Sequence, residues 1–118
     1  MAESESTDLV QNVRTQGNAM LASVHGEIDL HNSPDLRGQL LRLLDGAKPA
    51  KFILNLNAVP YMDSSAIAVM VETLQKLKKS SGKLYLTNLQ PRVKGLLEIA
   101  RLETIFVLCV DEAEALKK

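Results

Sequence analysis

The segment Phe52-Ile53-Leu54-Asn55-Leu56 constrains this chain more than any other. Its mix of β-forming residues on both faces, Phe52, Leu54 and Leu56 on one and Ile53 on the other, suggests a strand covered by helices rather than one open to water. Such a strand is central and needs helices to cover it, and the flanking sequence supplies them. Upstream, Ser33 is placed to cap a helix, Pro34 suits its first position and Asp35 its positive end. Leu36, Leu40, Leu43, Leu44 and Ala47 then recur at spacings of three and four, the stripe of an amphipathic helix. Downstream, the turn-like Asn57-Ala58-Val59-Pro60 and then Tyr61-Met62-Asp63-Ser64-Ser65 lead into Ile67, Met70, Val71, Leu74 and Leu77 at the same spacing. Lys76, Lys78 and Lys79 complement the negative end of that helix as a solvated terminus, and Gly82 is expected to supply the left-handed residue that stops it.

The rest of the chain continues the alternation. Val10 to Thr15, a turn at Gln16-Gly17-Asn18 and Met20 to Val24 read as a hairpin. In its second strand Met20, Ala22 and Val24 face a core, whereas Leu21 and Ser23 face outwards. Lys83 to Thr87 reads as a strand. Pro91 opens a helix with Val93, Leu96, Leu97 and Ala100 on one face, and Ile105 to Val110 reads as a last strand. Asp111 with Glu114 forms a capping box for a terminal helix. Strands alternating with helices after an initial hairpin give an α/β class: a mixed β-sheet covered by helices. At 118 residues this is a single domain, expected over 9–118 behind a disordered tail at 1–8.

Fourteen basic and fourteen acidic residues give a net charge of zero. With no basic block, and with only Phe52, Tyr61, Tyr85 and Phe106 as aromatics, direct nucleic-acid binding is not expected. The acidic start lacks the charge and apolar core of a secretory signal, and no apolar run approaches the ~18 residues of a membrane span. A cytoplasmic location is therefore expected. Cys109 has no second thiol to pair with and reads as core packing, as does Met70.

One segment stands out chemically. Asp63-Ser64-Ser65 sits where a loop leaving the buried strand becomes the first turn of a helix, with Asp63 as the cap. An ordinary capping pair satisfies the same local sequence. Ser64 or Ser65 as a nucleophile, with His25 or His31 as base and Asp29 as orienter, would require a G-x-S-x-G elbow or an oxyanion frame that the sequence does not carry. A metal set of His25, Glu27, Asp29 and His31 would require a straight strand, whereas Gly26 and the cap at Ser33 argue for a bend. No cofactor and no metal are expected.

Gly26-Glu27-Ile28-Asp29, then Asn55-Leu56 followed by Met62-Asp63-Ser64-Ser65, and Pro91-Arg92-Val93-Lys94 with Leu96, together resemble the STAS domain family. Within it they are similar to the small bacterial anti-sigma factor antagonists. The resemblance runs nearly end to end and implies a STAS-like fold and a binding protein rather than an enzyme. It implies that Ser64 takes a phosphoryl group and that Asp29 helps to form the surface met by a kinase. Glu27, Met62, Asp63, Ser65 and Ala66 are expected to join that surface, with Met62 a partly exposed contact. The implied partners are an ATP-dependent serine kinase that doubles as an anti-sigma factor and a metal-dependent protein phosphatase that resets the switch. Where the family usually has glycines this chain has Ala66 and Ala68, which places two methyl groups near the partner-facing helix start. A STAS interaction module in another assembly, such as a lipid-transporter accessory subunit or a secretion-control switch, is the alternative. A helix start tolerates phosphate, because its free N–H groups and dipole favour negative charge. The added charge would lie near Asp63, Glu27 and Asp29 and disfavour a docked partner.

Overall fold

The computed structural model describes residues 8–118, so the tail expected at 1–8 lies outside the described residues except for Asp8. Five strands form one sheet in the order β1-β2-β3-β4-β5. They are β1 (Val10–Gln16), β2 (Ala19–His25), β3 (Lys51–Ala58), β4 (Lys83–Thr87) and β5 (Val107–Cys109). Four helices accompany them: α1 (Ser33–Ala47), α2 (Ser64–Lys78), α3 (Pro91–Ile99) and α4 (Glu112–Lys117). β1 pairs antiparallel with β2 through a two-residue turn at Gly17 and Asn18, and the later strands all pair in parallel, as the mixed sheet required.

Strand order equals chain order, and this decides the layering. Right-handed crossovers that always step to the next strand in one direction deposit their helices on one face. α1, α2 and α3 therefore share a face, burying Leu36, Leu40, Met70, Leu74, Val93 and Leu97 in the main core with Phe52, Leu54 and Leu56 of β3. α4 follows the last strand and has no crossover to make. It covers the opposite face, where Ala115 joins Leu21, Ile53, Tyr85 and Cys109 in a smaller cluster. β3 is thus the central, doubly covered strand that its sequence demanded.

Several local expectations are corrected. β2 is not open on one side, because Leu21 is buried under the α4 side of the sheet. Ser33 does not cap α1; it is the first helical residue and buried, and Asn32 occupies the cap position. Ala47 and Ala100 are exposed, since α1 and α3 run out past the core at their ends. The final strand shrinks to Val107–Cys109, leaving Ile105 and Val110 exposed and Phe106 alone anchoring the entry. At the end of α2 the left-handed residue is Ser81, with φ 63°, rather than Gly82. Gly82 is needed for space instead: a Cβ there would stand 2.7 Å from the Pro49 carbonyl oxygen. Lys76 is not simply solvated, because it pairs with Asp45 of α1 at 2.6 Å. At α4, Asp111 accepts from the Glu114 N–H at 2.9 Å, but Glu114 Oε1 reaches back to the N–H of Val110 rather than of Asp111.

Candidate functional site

Because β2, β3 and β4 are parallel, the loops that follow them emerge at one edge of the sheet, where α/β proteins commonly bind. Pairing of the first two loops continues past the strand ends. The Gly26 N–H donates to Ala58 O at 3.0 Å, the Ile28 N–H to Tyr61 O at 3.1 Å, and the Asp63 N–H to Ile28 O at 3.1 Å. Gly26 makes the bend into this stretch at φ +98°, a conformation that strains any side-chain-bearing residue. Ile28 and Met62 form a parallel bridge, and both are buried. Alternation then leaves Glu27, Asp29, Tyr61 and Asp63 flanking the bridge.

The 26–32 loop spends its polar groups on itself. Asn32 Oδ1 accepts from the Asp29 N–H at 2.9 Å, its Nδ2 donates to Glu27 O at 2.9 Å, and Asp29 Oδ1 accepts from the His31 N–H at 2.9 Å. Asp29 still keeps 46% of its side chain exposed, and Glu27 is exposed.

The start of α2 is arranged differently. Asp63 holds extended backbone at the cap position, and its Oδ1 accepts from the Ser65 N–H at 2.9 Å and from Ser65 Oγ at 2.5 Å. The Ser65 hydroxyl, followed by the N–H groups of Ser65, Ala66 and Leu30, holds the Asp63 carboxyl below its ordinary range. Two adjacent serines therefore differ in state. Ser65 is half-buried with its hydroxyl bound to the cap, whereas Ser64 is exposed and no hydrogen bond among the described residues occupies its hydroxyl.

The sequence-predicted residues divide accordingly. Glu27, Asp29, Asp63, Ser64 and Ser65 come together at the surface. Met62 and Ala66 do not reach it: they are 1% and 0% exposed, because the bridge turns Met62 into the core and helical rotation turns Ala66 inwards. They support the site from beneath, which corrects their expected place on the partner surface. Ala68, by contrast, is exposed. Among the described residues no three His, Cys, Asp or Glu side chains converge as metal ligands. His25 Nε2 is buried away from His31, which is exposed, and neither serine hydroxyl bonds to a histidine.

Leu30 and Tyr61 of this edge escaped sequence reasoning as site residues, and Arg92 entered only as part of the family motif. Leu30 is 75% exposed beside Asp63, Tyr61 is 37% exposed, and the Arg92 guanidinium lies 5.0 Å from the Tyr61 ring centre. Gln90 Nε2 ties the third loop to Asn57 O at 2.6 Å. The only signal for Leu30 and Tyr61 was that an apolar residue stood in a loop where a strand gives way to a helix.

Among the described residues, no helix is long and apolar enough to cross a membrane. The family profile of the STAS domain matches residues 11–115. An anti-sigma-B factor antagonist of Bacillus subtilis is 36% identical over 93 residues, which span 79% of this chain and 84% of that protein. The anti-sigma factor antagonist SpoIIAA in its unphosphorylated form superposes with a TM-score of 0.76 at 20% identity, covering 92% of this chain and 93% of that one. The Bacillus cell fate determinant SpoIIAA in its phosphorylated form gives 0.67 at 21% identity, covering 92% and 96%.

Proposed function

The chain belongs to the STAS domain family, and on that premise we propose that it is an anti-sigma factor antagonist switched by phosphorylation of Ser64. The unphosphorylated form binds an ATP-dependent serine kinase that is also an anti-sigma factor, and this frees the sigma factor. Phosphorylation ends the binding, and a protein phosphatase restores it, all within the cytoplasm. The name borne by the Bacillus subtilis relative supports the antagonist role. SpoIIAA, a neighbour in fold alone, occurs in both phosphorylation states.

The observation that carries the reading is the asymmetry of the two serines. A kinase needs a hydroxyl that can enter its site, and the Ser64 hydroxyl is exposed while that of Ser65 is held by Asp63. A phosphate on Ser64 adds roughly −1.5 to −2 of charge at a helix start that tolerates it. The same charge adjoins Asp63 and its neighbours Glu27 and Asp29, so a partner surface that complements those carboxylates in the free protein meets a different field after transfer. The chemistry belongs to the kinase: this chain supplies the acceptor hydroxyl, its position and its surroundings.

The test is affinity capture from native cell extract with ATP, followed by mass spectrometry of the captured proteins and of the Ser64 peptide. Wild type should acquire phosphate on Ser64, Ser64→Ala should hold the kinase persistently, and Ser64→Asp should bind it weakly. Ser65→Ala should still be phosphorylated. Phosphate found only on Ser65, with Ser64→Asp binding at full strength, overturns the assignment.

A further inference from the structure

The formal charge of the chain is zero, yet the fold sorts that charge into two poles. Since β2 to β5 run parallel, all four helices end at the edge where those strands begin. Lys48 follows α1, Lys76, Lys78 and Lys79 end α2, Lys83 opens β4, and Lys117 and Lys118 end α4. The opposite edge, which bears Ser64, carries Glu27, Asp29, Asp35, Asp63, Asp111 and Glu112 against Arg92 and Lys94 at the start of α3, with Glu112 paired to Arg14 at 2.6 Å, so it remains acidic on balance.

Two lysines of the basic edge are engaged internally. Lys76 pairs with Asp45, and Lys51 of β3 donates to the α4 carbonyls of Ala115 and Leu116 at 3.2 and 3.0 Å. Lys48, Lys78, Lys79, Lys83, Lys117 and Lys118 are exposed, and no ion pair among the described residues holds any of them. Glu98 and Glu103, with Arg101 between them, flank the edge on the β5 side. Helix dipoles account for lysines in the last turns of α2 and α4, but Lys83 opens a strand and gains nothing from a dipole. A cleft of about 220 Å³ between the ends of α1 and α2 is lined by Lys48, Lys79, Ser80 and the paired Lys76 and Asp45, with Leu44 and Leu77 beside them.

We infer that this basic edge docks on an anionic membrane surface. The charges are lysines, compact point charges suited to dispersed headgroups rather than the bidentate fork that grips a single phosphate. They come from four separate elements around one end of the fold, which makes a patch with area rather than a stripe along a duplex groove. The exposed large apolar residues at this edge, Ile99 at the end of α3 and Ile105 before β5, lie on its β5 side, and α1, α2, β4 and α4 contribute none, so the lysine contact is electrostatic and reversed by salt. The acidic pole is repelled by the same surface, and the chain stands with Ser64 facing away from the lipid and open to a soluble partner. This inference is independent of the role of Ser64.

Vesicle flotation of the full chain tests it, with the exposed Gln11→Ala on β1 as a control expected to bind as wild type does. Wild type should float with mixed phosphatidylserine and phosphatidylcholine vesicles, not with phosphatidylcholine alone, and release as salt is raised well above ~0.15 M. Reversal of Lys78, Lys79 and Lys83 to Glu should lower the bound fraction at least ~10-fold while preserving the circular dichroism spectrum. Lys117→Glu with Lys118→Glu, on a different element, should lower it in the same direction. Equal flotation with both vesicle types, unchanged flotation of both charge-reversed variants, or tighter wild-type binding to a random-sequence DNA duplex overturns the inference.

Discussion

α1 and α2 start side by side at the same sheet edge, each after a parallel strand, and each with an Asn or Asp at the cap position. They use that residue in opposite ways. Asn32 makes no cap bond; its amide turns back to fasten the backbone of Glu27 and Asp29. Asp63 turns forward, caps α2 and ties down Ser65. One start is a self-satisfied loop that presents carboxylates, and the other is a capped helix that presents a hydroxyl. The Ile28–Met62 bridge holds the two in register. A short polar side chain at a helix start does not by itself cap the helix; the path of the preceding loop decides what lies within its reach.

The largest loss is expected at the Ile28–Met62 bridge. Met62→Ala removes a buried side chain that both loops pack upon, and should cost ~2–5 kcal/mol in urea unfolding. A loss under ~1 kcal/mol would mean that the two starts are positioned independently. Asn32→Ala deletes two side-chain bonds of one loop, and should cost about 1–2 kcal/mol while speeding amide hydrogen exchange at Asp29. The N–H of Ser65 should keep its protection, and parallel loss at both sites would erase the distinction.

Asp63→Asn sharpens the contrast through pH. The folded Asp63 carboxyl is held below its unfolded value, so its contribution to stability is complete above about pH 4 and disappears as the pH falls through the folded pKa. The variant keeps an acceptor oxygen for Ser65 but has no carboxyl to titrate. Its stability should therefore fall less steeply than that of wild type below pH 4, as followed by thermal melts across an acid series. The smallest effect is expected for Arg92→Ala, which loses the contact with the Tyr61 ring and should cost ~0.5–1 kcal/mol. Neither loop start should change, and tyrosine fluorescence reports the altered ring.

Elements whose signals are local and repeated can be read directly from the order of residues. The buried run of β3, the stripes of α1 and α2, and the cap at Asp63 were legible because propensity, periodicity and burial agree there. The sequence also placed Ser64 and Asp29 near one another, through resemblance rather than spacing. Tertiary structure alone decided the remainder. Ser33 reads as a cap in any window, but the Leu36 N–H donates to the Asn32 carbonyl at 3.0 Å, so the helix starts one residue earlier and Ser33 is buried within it. Met62 and Ala66 belong to a surface motif by position, yet pairing with Ile28 and rotation along α2 bury them. Leu21 looked outward until α4 closed over it from 94 residues away in the chain, as Ala115 shows. The two charge poles were invisible in a net charge of zero, because a sum keeps no record of place. Parallel strands send helix starts to one edge and helix ends to the other, and that directional sorting exists only once the sheet has assembled.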